Sequence, residues 1–225
     1  MTDRHLAWSN DAFLSREAFD RSVEAVASHL TTVPALLNVC EDWLHFARGV
    51  AAAFRAGVPT LLPPDRGQGH LTAIEARWGL VLRLDDDWMS GHLDPVDCLS
   101  KGPIVQGEKD PAIIPFTSGS TGIPVAHPKT LDAIRQSAAL IAGQVGGVEG
   151  VRILATVPPQ HMYGLELSIL LPLFEGAILD SRRPFYPLDV IEALVQGPGP
   201  VALVTTPLHL KALLALPQGT FPDVA

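Results

Sequence analysis

Phe116-Thr117-Ser118-Gly119-Ser120-Thr121-Gly122-Ile123-Pro124 is the stretch on which the reading of this sequence turns. Its centre, 117–122, packs four hydroxyl side chains and two glycines into six residues. Before it, the apolar run 112–116 predicts a strand; after it, apolar positions recur at helical spacing over 131–142. A segment of this kind between strand and helix has a phosphate-binding composition. Glycines let the backbone turn with positive φ and come close to a ligand, so that successive N–H groups converge on anionic oxygens. The hydroxyls add donors that rotate to suit. In an open α/β sheet, ligands also bind outside the carboxyl ends of the strands. Without that context a Ser/Thr/Gly segment is more often simply a turn.

Three other loops are excluded by spacing. A Walker-type loop needs a Gly-Lys pair at its end, and none is present. The dinucleotide fingerprint needs GxGxxG, whereas Gly119 and Gly122 supply only GxxG. The hydrolase elbow needs GxSxG, and Ser120 follows Gly119 directly.

Outward from the loop, strand and helix patterns alternate. On the amino-terminal side, Phe19, Val23, Val26, Ala27 and Leu30 fall on one helical face with Ser15 placed to cap it. Apolar runs at 35–40 and 60–62 flank a second helical pattern, Trp43, Phe46, Val50, Ala53 and Phe54, which stops at Gly57. Strand, helix, strand with short connections predicts a right-handed parallel βαβ unit. The polar segment 85–110 reads as connecting structure. On the carboxyl-terminal side, strands are expected at 152–157, 177–179 and 201–205, and helices at 163–174, 188–195 and 208–214. The fold class is therefore α/β, a layered, mostly parallel sheet flanked by helices. We divide the chain into a βαβ-containing subregion with its connector, 1–110, and an α/β subregion with the phosphate loop, 111–225.

The loop resembles the signature of the adenylate-forming enzymes, the superfamily of acyl-CoA synthetases, peptide-synthetase adenylation domains and luciferases, which reads roughly [YF]-T-S-G-[ST]-T-G-x-P-K. Counting the free position, nine of ten positions match, from Phe116 to Pro124. In that family the loop holds the β and γ phosphates of ATP while a carboxylate attacks the α phosphate. The resemblance thus implies ATP phosphate binding by Thr117, Ser118, Gly119, Ser120, Thr121 and Gly122. The tenth position departs, because Val125 stands where the family has lysine. Lys129 is the nearest lysine that follows, and we expect it to reach towards the phosphates.

A second stretch, Pro158-Pro159-Gln160-His161-Met162-Tyr163-Gly164, resembles the family's next motif, P-x-x-H-x-x-G. The resemblance implies an acyl pocket involving His161 and Gly164, with His161 orienting the carboxylate. A third, Thr205-Thr206-Pro207-Leu208-His209-Leu210, is similar to the strand-to-helix step that follows in these enzymes. The family's later motifs, an aromatic-Gly-x-Thr-Glu segment, a ribose-binding Asp, a hinge and a carboxyl-terminal lysine, have no counterpart before Ala225. The chain accordingly reads as the amino-terminal part of the large domain, with negligible adenylation activity by itself. No residue is assigned a catalytic role. The parent would use ATP and Mg²⁺, activate a fatty or aromatic carboxylic acid, and pass it to the thiol of CoA or of the phosphopantetheine on an acyl carrier protein. The alternative is a nucleotide-binding or scaffolding half-domain without chemistry.

Composition narrows the partners. The formal net charge is −8 with no Lys/Arg cluster, which argues against nucleic acid. No apolar run approaches the roughly 20 residues of a membrane span, and the start lacks the pattern of a secretory signal, so a cytoplasmic location is expected. The eight histidines show no ligand spacing such as HxxxH, so no metal site is assigned. Cys40 and Cys98 read as buried free thiols. An amidase-type hydrolase using Ser118 or Ser120 would need a base within hydrogen-bond reach, which the spacing does not supply.

Overall fold

The computed structural model describes residues 5–93, 107–118 and 124–217. The chain opens with a hairpin, β1 (His5–Ser9) and β2 (Ala12–Ser15), turned by Asn10 and Asp11 at φ 49° and 57°. Asn and Asp tolerate this left-handed backbone, which matches the twist of the flanking strands. Helix α1 (Arg16–Ser28) follows, its first turn closed by Ser15 Oγ accepting from Ala18 N at 3.1 Å. The expected βαβ unit is β3 (Leu36–Asn38), α2 (Trp43–Ala56) and β4 (Thr60–Leu62), with Leu36 paired in parallel to Thr60. Asp42 caps α2 by accepting from His45 N, and Gly57 ends it at φ 72°, a conformation in which a side chain would be strained.

Beyond β4 the structure adds α3 (Gln68–Trp78), β5 (Leu82–Leu84) and α4 (Asp86–His92). Helix α4 corrects the reading of its segment as mere connection. Asp85 accepts from Trp88 N at 2.9 Å and Asp86 and Asp87 fill the first turn, so these carboxylates start a helix. Residues 94–106 of that segment lie outside the described residues. Strand β6 (Pro111–Thr117) leads into the glycine-rich stretch and returns as two short strands, β7 (Val125–Ala126) and β8 (Lys129–Thr130), before α5 (Leu131–Gln144).

The remainder comprises β9 (Arg152–Ala155), α6 (Met162–Gly164), a π-helical stretch Leu165–Leu170, α7 (Leu171–Phe174), β10 (Ile178–Asp180), α8 (Pro187–Val195), β11 (Val201–Val204) and α9 (Pro207–Leu214). The expected helix over 163–174 is thus interrupted. Pro172 cannot donate to the carbonyl four residues back, and Ser168 Oγ donates to Gly164 O at 2.6 Å, so the regular ladder gives way there.

The strands make two sheets instead of one. The first has the order β5-β3-β4-β6-β7, with β8 also on β6, and the second β11-β9-β10-β1-β2. Each sheet takes strands from both sides of residue 110. Consecutive side chains explain the layering. Leu36, Leu62 and Ile113 face the main core, which also holds α1, α2, α5, the 165–173 helix and Ile153, Leu179 and Val204 of the second sheet. Their neighbours Leu37, Leu61 and Ile114 point the other way, onto Leu71 and Ile74 of α3. On the far side of the second sheet, Leu203 packs with Val190 of α8 and Leu213 of α9. The result is five layers, helix, sheet, helices, sheet, helix, set by the two-residue period of buried strands. Each fully buried Phe, Leu or Val in the middle layer contributes about 1.5–3 kcal/mol relative to exposure.

Candidate functional site

Strands β6 and β7, on either side of the glycine-rich stretch, pair antiparallel. Phe116 pairs with Ala126 and Thr117 with Val125, so Thr117 and Ser118, both exposed, stand at the carboxyl end of a strand whose 112–116 portion is buried. Gly119, Ser120, Thr121 and Gly122 lie outside the described residues. Thr117 Oγ1 is 3.2 Å from His127 Nε2, and His127 N donates to Pro115 O at 2.9 Å. His127 is therefore the ring held against the first hydroxyl of the loop, a contact that only the pairing register reveals.

The same register separates Lys129 from that end. Its partner on β6 is Ile113, four residues back from Thr117, about 13 Å along an extended strand. That is longer than its four-carbon stem spans. Val125 occupies the place directly across from Thr117, where side-chain Cβ atoms are about 5 Å apart, and it is 47% exposed. A lysine at 125 would thus stand beside the first hydroxyl.

His161 and Gly164 sit on the second sheet, after the carboxyl end of β9. His161 is exposed and precedes α6, where His161 O accepts from Leu165 N at 2.8 Å. Gly164 is buried for a steric reason. A Cβ there would lie 2.9 Å from Pro158 C and 3.0 Å from Val157 O, so only glycine lets the helix fold back against the strand exit. The structure brings His161 and Gly164 onto one turn, Gly164 fixing where His161 stands.

Between the two sheets lies a cleft of about 400 Å³. Glu41 follows β3, Arg66 follows β4, Thr156 follows β9, Arg183 follows β10 and His209 follows β11, and all five line it. Every one of these strands runs parallel to its neighbours and contributes from its carboxyl end. Thr156 Oγ1 bridges Thr205 Oγ1 at 2.8 Å and His209 Nδ1 at 3.1 Å, tying the exits of β9 and β11 together. Thr206 caps α9 by accepting from His209 N at 3.3 Å. Arg183 Nη2 to Glu41 Oε2, 3.3 Å, and Arg66 Nη1 to Glu41 Oε1, 3.5 Å, join the walls.

Behind the second sheet, Arg152 and Asp180 form a buried pair, to which Arg182 adds a contact of 2.6 Å. Both arginines also donate to carbonyls at the end of α8, so Asp180 fixes the segment that carries Arg183. Cys40 is buried and free, and burial, reinforced by Asp86, Asp85 and Asp42, pushes its thiol well above the ordinary range. It is a packing residue, not a nucleophile. Cys98 lies outside the described residues.

Residues 71–223, more than half of the 225-residue chain, match the family described as AMP-binding enzyme. This chain belongs to that family. Among its relatives, a 4-coumarate–CoA ligase of Rhodobacter capsulatus is 33% identical over 107 residues, covering 46% of this chain and 27% of that protein. The o-succinylbenzoate coenzyme A synthetase of Bacillus subtilis, solved in complex with ATP and magnesium ion, superposes with a TM-score of 0.74 at 17% identity, over 98% of this chain and 65% of that one. ATP-bound MatB of Rhodopseudomonas palustris gives 0.76 at 18% identity, over 96% and 49%. The fold is that of the adenylate-forming enzymes, and the chain spans 27–65% of the lengths of these three relatives. Among the described residues, no helix is long and apolar enough to cross a membrane.

Proposed function

We propose that the protein is an ATP-dependent acid–thiol ligase that activates a fatty or aromatic carboxylic acid as its acyl adenylate and delivers it to the thiol of CoA or of a carrier protein's phosphopantetheine. One observation carries this reading: the carboxyl ends of parallel strands from both sheets converge on a single cleft, with the hydroxyl loop at the carboxyl end of β6 on the edge shared with β4. The loop's hydroxyls and backbone N–H groups would hold the β and γ phosphates. Mg²⁺ would arrive with the nucleotide, bridging phosphate oxygens. His161 would stand beside the incoming carboxylate. Such chemistry rests on positioning and charge stabilisation, so each group matters through where it is held.

In this reading the cytoplasm supplies ATP and acceptor thiol. Residues 1–225 assayed alone, without the family's ribose-binding Asp and carboxyl-terminal lysine, are expected to release negligible pyrophosphate. The deciding experiment is ATP–pyrophosphate exchange by the full-length protein across a panel of carboxylic acids. Exchange that depends on an added acid is expected. ATP binding without exchange for any acid would favour a nucleotide-binding module with no chemistry.

A further inference from the structure

The cleft holds more charge than a simple acyl chain requires. Arg66 enters from the first sheet, fixed by Nε donating to Val39 O at 3.0 Å and Nη2 to Cys40 O at 2.7 Å. Arg183 enters from the second sheet and meets Glu41 through Nη2 alone. Glu41 is the one carboxylate among the described residues lining the cleft, so two guanidinium groups share a single anion. Nearby carboxylates have other work: Asp86 accepts from the Glu41 and Asp42 N–H groups and contacts the His45 ring, and Asp65 accepts from Gly67 N and contacts the His70 ring. A guanidinium offers five donors, and the Arg183 side chain, which lines the cleft, is 48% exposed.

Trp43 and Phe185 give the cleft an apolar surface between these polar points.

We propose that Arg66 and Arg183 form a recognition site for a second carboxylate, so that the acid entering this cleft is a dicarboxylic acid. One carboxylate goes forward to the adenylate; the other takes the guanidinium positions now shared with Glu41, in the planar paired geometry that arginine favours. Glu41 holds the two arginines facing each other until the ligand arrives. The inference rests on the ligase reading for the fate of the first carboxylate but not for the binding itself.

The test is calorimetric titration of the full-length protein with adipate and with hexanoate, a pair that differs in the distal carboxylate. Adipate is expected to bind at least tenfold more tightly. Arg183→Gln should bring the two acids within about twofold of each other, chiefly by weakening adipate. Glu41→Gln, which removes the competing anion, should strengthen adipate binding several-fold. Equal binding of the two acids, no adipate binding at millimolar concentration, or a preference that survives Arg183→Gln would each overturn the proposal. Failure of pyrophosphate exchange with every acid would sink the ligase reading and leave this binding preference standing.

Discussion

The hairpin after β6 and the cleft between the sheets are built in opposite ways. The hairpin is local: Thr117, Val125 and His127 meet because β6 and β7, close in sequence, pair antiparallel in register. The cleft is assembled from positions as far apart as Glu41 and His209, each delivered by a different strand. A local device tolerates loss of distant packing, whereas an assembled one depends on all of it. The hairpin and the cleft should therefore respond to different mutations, the first in nucleotide affinity and the second in stability and acid selectivity.

The strongest way to break this division is Asp180→Ala. It leaves Arg152 buried without its anion and frees the segment bearing Arg183, so we expect a loss of about 3–5 kcal/mol in denaturant unfolding. The second sheet should lose hydrogen-exchange protection before β6 does. Gly164→Ala comes next. The added methyl meets backbone atoms of 157–158, and a cost of about 1–3 kcal/mol is expected, together with weaker acid binding and unchanged MgATP affinity.

On the hairpin, Val125→Lys should place an ammonium beside Thr117 and raise MgATP affinity about tenfold, equivalent to about 1.4 kcal/mol. Lys129→Ala, removed by four residues of register, should change it by less than twofold. A larger loss there would mean that the loop folds back along β6. The smallest effect is at Cys40. With Cys98 replaced by serine, alkylation of the folded protein should be very slow from pH 7 to 9, because the buried thiol keeps its proton. Its folded value lies above the unfolded 9.0, so this group's contribution to stability is complete below pH 9 and declines as pH rises further.

Much of this contrast was readable in the sequence, and unevenly. The loop, the βαβ unit and the run of elements from β9 to α9 were legible because period and punctuation are local signals: Ser15, Asp42 and Gly57 mark helix ends wherever the helices go. The starting hairpin is signalled only by Asn10-Asp11, and α3 only by the spacing of Leu71, Ile74 and Trp78, signals too short to stand out from turns and loops. Division into two sheets was not legible, since β1 finds β10 across most of the chain. Nor were Arg66 and Arg183, whose meaning comes only from facing each other across Glu41. His127 was not legible as a site residue either, because its contact with Thr117 needs the hairpin register.

The central claim, that the hydroxyl loop after β6 holds nucleotide phosphates, is tested most directly by calorimetric MgATP binding to the full-length protein and to Thr117→Val with Ser118→Ala. Retained stability with MgATP affinity reduced tenfold or more is the predicted result. Unchanged affinity in that double variant would contradict the account.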